Sequence, residues 1–176
     1  MRITISILLL IVGVFCISTL QSQGEYFKYA KKNIEKYNPK RTDLVIIVDY
    51  RKNMFSERLY ILDMRKEKVI LSCKVSHAWN SGFLYPNDYS NKPNTDKSSK
   101  GNYITRGTKY GRFGYSMIID GLDNGINDNA RRRAIIFHSD TKMKTKWSNG
   151  CFATSESNNK KIIDLTKNGV LVCVID

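Results

Sequence analysis

The spacing of apolar residues changes along this chain, and each change predicts a different kind of element. From Glu25 to Tyr37, residues Phe27, Ala30, Ile34 and Tyr37 recur at three- and four-residue intervals with lysines between them. That period predicts a helix packing by one face. Asn38-Pro39 ends it. The pattern then turns to strands. Leu44 to Val48 is apolar on both faces, and Leu59 to Leu62 follows a polar turn. Val69, Leu71, Cys73 and Val75 alternate with Ile70, Ser72, Lys74 and Ser76, as in a half-buried strand. A polar loop rich in Asn and Ser runs from Asn80 to Lys100 and holds Pro86 and Pro93. Loops of such length in a compact domain tend to be functional or mobile.

Further strands are predicted at Tyr103 to Thr105, Tyr115 to Ile119 and Ala134 to Phe137, the last delivering His138. Asp123-Asn124-Gly125 reads as a turn, and Asn127 to Arg132 as a short helix. Asn158 to Lys167 reads as a helix stopped by Asn168-Gly169, with a final strand from Val170 to Ile175. The expected fold class is mainly β, a β-sandwich or partly open barrel with two or three short helices.

The N-terminus alters the picture of location. Met1-Arg2 precedes an apolar run from Ile3 to Ile17, then the small or polar Ser18, Thr19, Ser22 and Gly24. This is the layout of a secretory signal peptide cleaved near Ser22 or Gly24. The run is shorter than the ~20 residues that a spanning helix wants, so export is favoured over an uncleaved anchor. Phe15 before Cys16 disfavours a lipid-attached terminus. The expected organisation is a signal peptide over 1–22, a helix and linker over 23–41, and one domain over 42–176. That domain would sit outside the cytoplasm, periplasmic or extracellular, with no stable membrane insertion after cleavage.

Three cysteines remain beyond the leader: Cys73, Cys151 and Cys173. An odd count in an exported chain leaves one thiol unpaired. Cys73 and Cys173 lie in apolar runs, and either a disulfide between them or two buried thiols fits. Cys151 lies in a polar turn. The net charge of +13 is spread along the chain. It suits an anionic partner such as an acidic wall polymer, or simply keeps an exported domain in solution. Nucleic acid fits poorly with a signal peptide.

The candidate chemistry lies in Ser148-Asn149-Gly150-Cys151 and in His138. A cysteine after a glycine in a tight turn can be held with backbone N–H groups beside it, an arrangement that binds an oxyanion. Imidazole takes a thiol proton and stabilises the resulting charge. Thirteen residues separate His138 from Cys151, enough for a loop that turns back. The other histidine, His77, follows the strand ending at Val75. No pair of histidines has metal-ligand spacing, so no metal is expected.

These residues resemble the catalytic domain of the L,D-transpeptidases, whose signature is a histidine followed by Ser-x-Gly-Cys. The likeness is greatest to the exported murein branch and covers roughly Asp43 to Asp176. It runs through Val48-Asp49, Arg58 to Asp63, Val75-Ser76-His77, Asn80-Ser81-Gly82, Lys97 to Gly101, Gly121 to Asn127, Ala130 and Arg133. The resemblance implies a β-rich fold, no cofactor, and peptidoglycan stem peptides as partners. It implies that Cys151 attacks the carbonyl of the third stem residue. The terminal D-Ala leaves, and an amine from another stem resolves the thioester. His138 would be base and then acid, oriented by the backbone carbonyl of Ser139. The N–H groups of Asn149, Gly150 and Cys151 would bind the oxyanion, while His77, Ser148 and Asp140 would shape the substrate site. Carbapenem-type inhibitors would acylate the same thiol.

The chain departs from the family pattern at Ala78, Ser139, Asp140, Asn149 and Phe152. Two other outcomes stay open. A hydrolase of the same site would trim stems as a carboxypeptidase or endopeptidase, and a non-catalytic module would bind the wall through basic surface.

Overall fold

The computed structural model describes residues 23–140 and 147–176. The leader expectation lies outside the described residues. Among them, no helix is long and apolar enough to cross a membrane.

Helix α1 covers residues 23–37. Strands follow as β1 (Arg41–Asp49), β2 (Leu59–Asp63), β3 (Lys68–Cys73), β4 (His77–Ala78), β5 (Gly101–Gly111), β6 (Gly114–Gly121), β7 (Ile136–Ser139), β8 (Trp147–Ser148) and β9 (Phe152–Thr154). Helix α2 (Glu156–Thr166) and β10 (Val170–Ile175) close the chain. Eight strands form one mixed sheet in the order β3-β2-β1-β10-β5-β6-β7-β9, and β4 pairs with β8 apart from it. The mainly β expectation holds.

The doubly apolar runs explain the centre of the sheet. β1 and β10 pair in parallel, and their alternate residues enter different cores. Ile46, Val48, Val172 and Val174 face a core that includes Phe137, Phe152, Ile162 and Ile163. Val45, Ile47, Leu171 and Cys173 face another, closed by Tyr26, Phe27 and Ala30 of α1. Burying the apolar face of α1 stabilises by about 25 cal/mol per Å² removed from water. Tyr26 also donates its phenolic O–H to Asp49 at 2.7 Å.

The two-core arrangement settles the cysteine question. Cys73 belongs to one core and Cys173 to the other, and both are free thiols. Burial pushes the Cys73 thiol up to about 12 and raises that of Cys173 as well.

Three local expectations are corrected. Residues 127–132 form successive turns rather than a helix. Asn127 is fully buried there, and its side-chain amide donates to the carbonyls of Lys100 and Asn102. A residue so engaged knits the turn to β5, and a regular helix gives way to that contact. Second, β7 begins at Ile136, because Ala134 has φ of +54°, outside the strand region. Third, β3 stops at Cys73, and His77 opens the separate β4.

The largest departure is β5, eleven residues long where three were expected. Its outer half, from Arg106 onward, is exposed, so no apolar alternation announces it. With β6 it makes a hairpin whose tip is Arg112-Phe113, between the paired Gly111 and Gly114. Gly114 has φ of +69°, the left-handed residue that closes such a tight hairpin.

Candidate active site

Two strand pairings assemble the site. β7 and β9 run parallel with Phe137 opposite Phe152 and His138 opposite Ala153, so Cys151 enters β9 beside the histidine strand. β4 pairs with β8, His77 opposite Trp147 and Ala78 opposite Ser148, and this fixes the other side of the turn. Between them lies a cleft of about 490 Å³. Cys151 and His138 both line it, with Ser148 and Asn149 on the turn side. Trp79, Trp147, Phe113 and Arg112 complete its walls.

The turn is held from within. Ser148 Oγ accepts from the Gly150 amide at 3.1 Å and donates to the Cys151 carbonyl at 2.7 Å. Gly150 has φ of +120°, and a Cβ there would stand 2.9 Å from Ile135 Cδ1 and 3.0 Å from the Lys97 carbonyl. Only glycine fits. Its N–H, expected to face an oxyanion, is engaged by Ser148 and holds the turn in this structure.

Cys151 is partly buried, and its Sγ–H points to the Ala134 carbonyl at 3.6 Å. Ala134 is a non-glycine residue in the left-handed region, a conformation costing roughly 1–2 kcal/mol. Burial raises the Cys151 thiol above its ordinary value, while the Ile136 amide and the cations of Lys109 and Arg133 pull it down. Arg133 stands directly behind the turn, since a Cβ on Gly150 would lie 3.4 Å from its guanidinium. That guanidinium donates to the carbonyls of Ser90 and Lys97 and to Ser99 Oγ, tying the long polar loop to the site.

His138 is 3% exposed, covered by Phe113, whose ring stacks on the imidazole at 4.4 Å between centroids. Its Nδ1 lies 2.8 Å from the Ser139 carbonyl. A carbonyl only accepts, so Nδ1 carries the proton and Nε2 keeps the lone pair. Burial lowers the His138 pKa, offset by the Ser139 hydrogen bond and the Asp140 charge. Burial thus disfavours the charged form of both groups.

His77 sits elsewhere than the sequence suggested. It is fully buried, with Nε2–H donating to the Gly82 carbonyl at 2.8 Å and Nδ1 accepting from Arg58 at 2.7 Å. It is not among the residues lining the cleft, and its strand pairs with β8 on the turn side. Asp140 also lies off the cleft walls, its amide bonded to the Thr154 carbonyl at 2.7 Å. Ser139 faces a neighbouring hollow. Among the described residues, no group of His, Cys, Asp and Glu is placed to hold a metal ion.

The burial of His77 has a stability consequence. Burial lowers its pKa from 6.5 to about 4. Above pH ~6.5 both folded and unfolded forms are neutral there. As pH falls from ~6.5 towards ~4, only the unfolded chain takes the proton, so stability drops by roughly 3 kcal/mol. Below ~4 the folded form protonates too and the loss levels off. Urea denaturation at pH 7 and pH 4.5 is expected to show a clearly steeper loss for the wild type than for His77→Gln. Parallel losses in the two proteins would refute the assignment.

Four cleft residues escaped the sequence reading: Trp79, Trp147, Arg112 and Phe113. The glycines bracketing Arg112-Phe113 were a hairpin signal that could have placed the last two. Trp79 and Trp147 meet edge to face at 5.1 Å, across a pairing between strands of two residues each, which no periodicity reveals.

The family profile described as L,D-transpeptidase catalytic domain matches residues 18–175. Among curated proteins, none matches the chain. Solved structures share its fold at low identity. The helical cell-shape-determining protein of Campylobacter jejuni, in a variant form, is 15% identical with a TM-score of 0.53, over 84% of this chain and 53% of that one. A variant L,D-transpeptidase of Enterococcus faecium is 15% identical with a TM-score of 0.50, over 76% and 50%. The Ldtfm–avibactam carbamoyl enzyme is 16% identical with a TM-score of 0.51, over 76% and 49%. This chain thus spans about half the length of these solved chains. With the profile matching nearly the whole sequence and the same fold in these structures, the chain belongs to the L,D-transpeptidase catalytic domain family.

Proposed function

We propose that this protein is an exported peptidoglycan L,D-transpeptidase that works through a thioester on Cys151. The observation that carries the reading is the cleft itself. It presents on its walls a cysteine thiol and a histidine whose Nδ1–H is fixed on the Ser139 carbonyl. Rotation of the Cys151 side chain redirects its thiol from Ala134 to His138. Nε2 takes the proton as sulfur bonds the carbonyl carbon of the third stem residue. The amides of Asn149 and Cys151 supply the oxyanion contact, since that of Gly150 is committed within the turn. His138 returns the proton to the departing D-Ala amine as the C–N bond breaks. An amine from a second stem then attacks the thioester, and the proton it loses passes through His138 to the thiol.

Family membership, the fold shared with transpeptidases and the apolar walls of Trp79, Trp147 and Phe113 support transfer, since such walls exclude water. Incubation of the protein with tetrapeptide muropeptides, followed by mass analysis, tests this. Cross-linked dimers are the expected product. Tripeptide alone would mean a hydrolase, and unchanged substrate a binding module.

A further inference from the structure

The cleft carries one kind of charge. Of its described walls, Arg112 contributes a permanent cation, and no Asp or Glu side chain lines it. The position of that cation is built. Arg112 occupies the tip of the β5–β6 hairpin, where Gly111 and Gly114 close the turn. Its guanidinium lies 5.6 Å from the centroid of the Phe113 ring, a cation–π distance. The same ring stacks on His138 at 4.4 Å. The stack places the guanidinium within about 10 Å of the imidazole. No ion pair occupies it among the described residues, whereas Arg106 on the adjoining β5 is paired with Asp120 at 2.7 Å.

We propose that Arg112 binds the terminal carboxylate of the acyl donor and so selects stems that end in a free D-alanine. This rests on the stem-peptide reading above and deepens it. The carboxylate of a terminal residue lies one residue, about 3.8 Å, beyond the bond that Cys151 cleaves. The planar guanidinium offers two parallel N–H donors to such a group, and the bidentate pair fixes orientation as well as charge. Phe113 keeps the guanidinium facing the cleft and covers His138 against water. A donor lacking that carboxylate leaves the guanidinium unmatched, so stems capped or extended beyond D-alanine are disfavoured.

The test needs no turnover, so it stands apart from the success of the transfer reading. Both tryptophans of the chain, Trp79 and Trp147, line this cleft, so intrinsic fluorescence reports its occupancy. Cys151→Ala protein is titrated with a synthetic stem tetrapeptide ending in D-alanine and with its C-terminal amide. The acid is expected to bind about tenfold more tightly than the amide, in line with the strength of bidentate charge-assisted pairs. Arg112→Gln should bring the acid to the level of the amide and leave amide binding unchanged. Arg112→Lys should restore part of the difference, and Arg106→Gln, which removes an equal charge outside the cleft, should keep it whole. Equal binding of acid and amide, or a preference that survives Arg112→Gln, overturns the proposal. Discrimination lost equally in Arg106→Gln would also overturn it, by showing a general effect of net charge. Failure of the muropeptide assay with acid preference intact would instead fault the transfer chemistry.

Discussion

A carbapenem is expected to add once to this protein, on Cys151, and not at all to Cys151→Ala. A strained β-lactam presents a reactive amide carbonyl. The thiol opens it when His138 takes the proton. Cys73 and Cys173 cannot compete. They are 2% and 0% exposed, and burial raises both thiols, Cys73 up to about 12. Intact-mass measurement should therefore show one adduct in the wild type, in Cys73→Ser and in Cys173→Ser. Cys151→Ala should also lose all turnover of stem peptides while keeping its fold. The partly buried thiol lines the cleft and hydrogen-bonds the Ala134 carbonyl, so its truncation opens onto the cleft and leaves no enclosed cavity like the ~2–5 kcal/mol core deletions. Its denaturation midpoint should stay close to that of the wild type. A label on Cys73 or Cys173, or activity retained in Cys151→Ala, would remove Cys151 from the mechanism.

Acylation should slow by ~100-fold or more in His138→Ala, the usual worth of a positioned general base. The pH profile carries more information than the rate. In the wild type, His138 must be neutral to act, and burial lowers its pKa below the ordinary imidazole value of about 6.5. Acylation should therefore fall only as pH drops through a value below that, and be nearly flat across neutrality. With no imidazole, the thiol must ionise by itself, and burial has raised it. The His138→Ala rate should then climb with pH through the alkaline range and lack the acid limb. Single-turnover acylation between pH 4 and pH 10 distinguishes the two curves. An acid limb persisting in His138→Ala would assign it to another group.

His77 sharpens the comparison. Sequence offered two histidines near apolar strands and favoured His138 by its spacing to Cys151 and its match to the family signature. The structure ranks them by burial and bonding: both ring nitrogens of His77 are spent on Gly82 and Arg58, whereas His138 keeps one lone pair and lines the cleft. Replacing His77 should act on stability and its pH dependence, and replacing His138 on chemistry.

The chain's local patterns determined much by themselves. Doubly apolar runs made β1 and β10 central strands, because a strand buried on both faces has no polar side to show. The period of Phe27, Ala30, Ile34 and Tyr37 made α1, and Asn168-Gly169, both at positive φ, ended α2 as read. Gly150 before Cys151 marked a turn where a side chain would collide. What only the tertiary structure decided were the features built from distant segments. The outer half of β5 is polar because it projects into solvent, so hydrophobic periodicity could not reveal it. β4 and β8 are two residues each and exist through their mutual pairing. Arg112 reaches the cleft because a hairpin carries it there, and Phe113 covers His138 across 25 residues of chain. A sequence pattern records which face of an element is buried, since burial is an average property of each position. It does not record which elements meet, and an active site is made of those meetings.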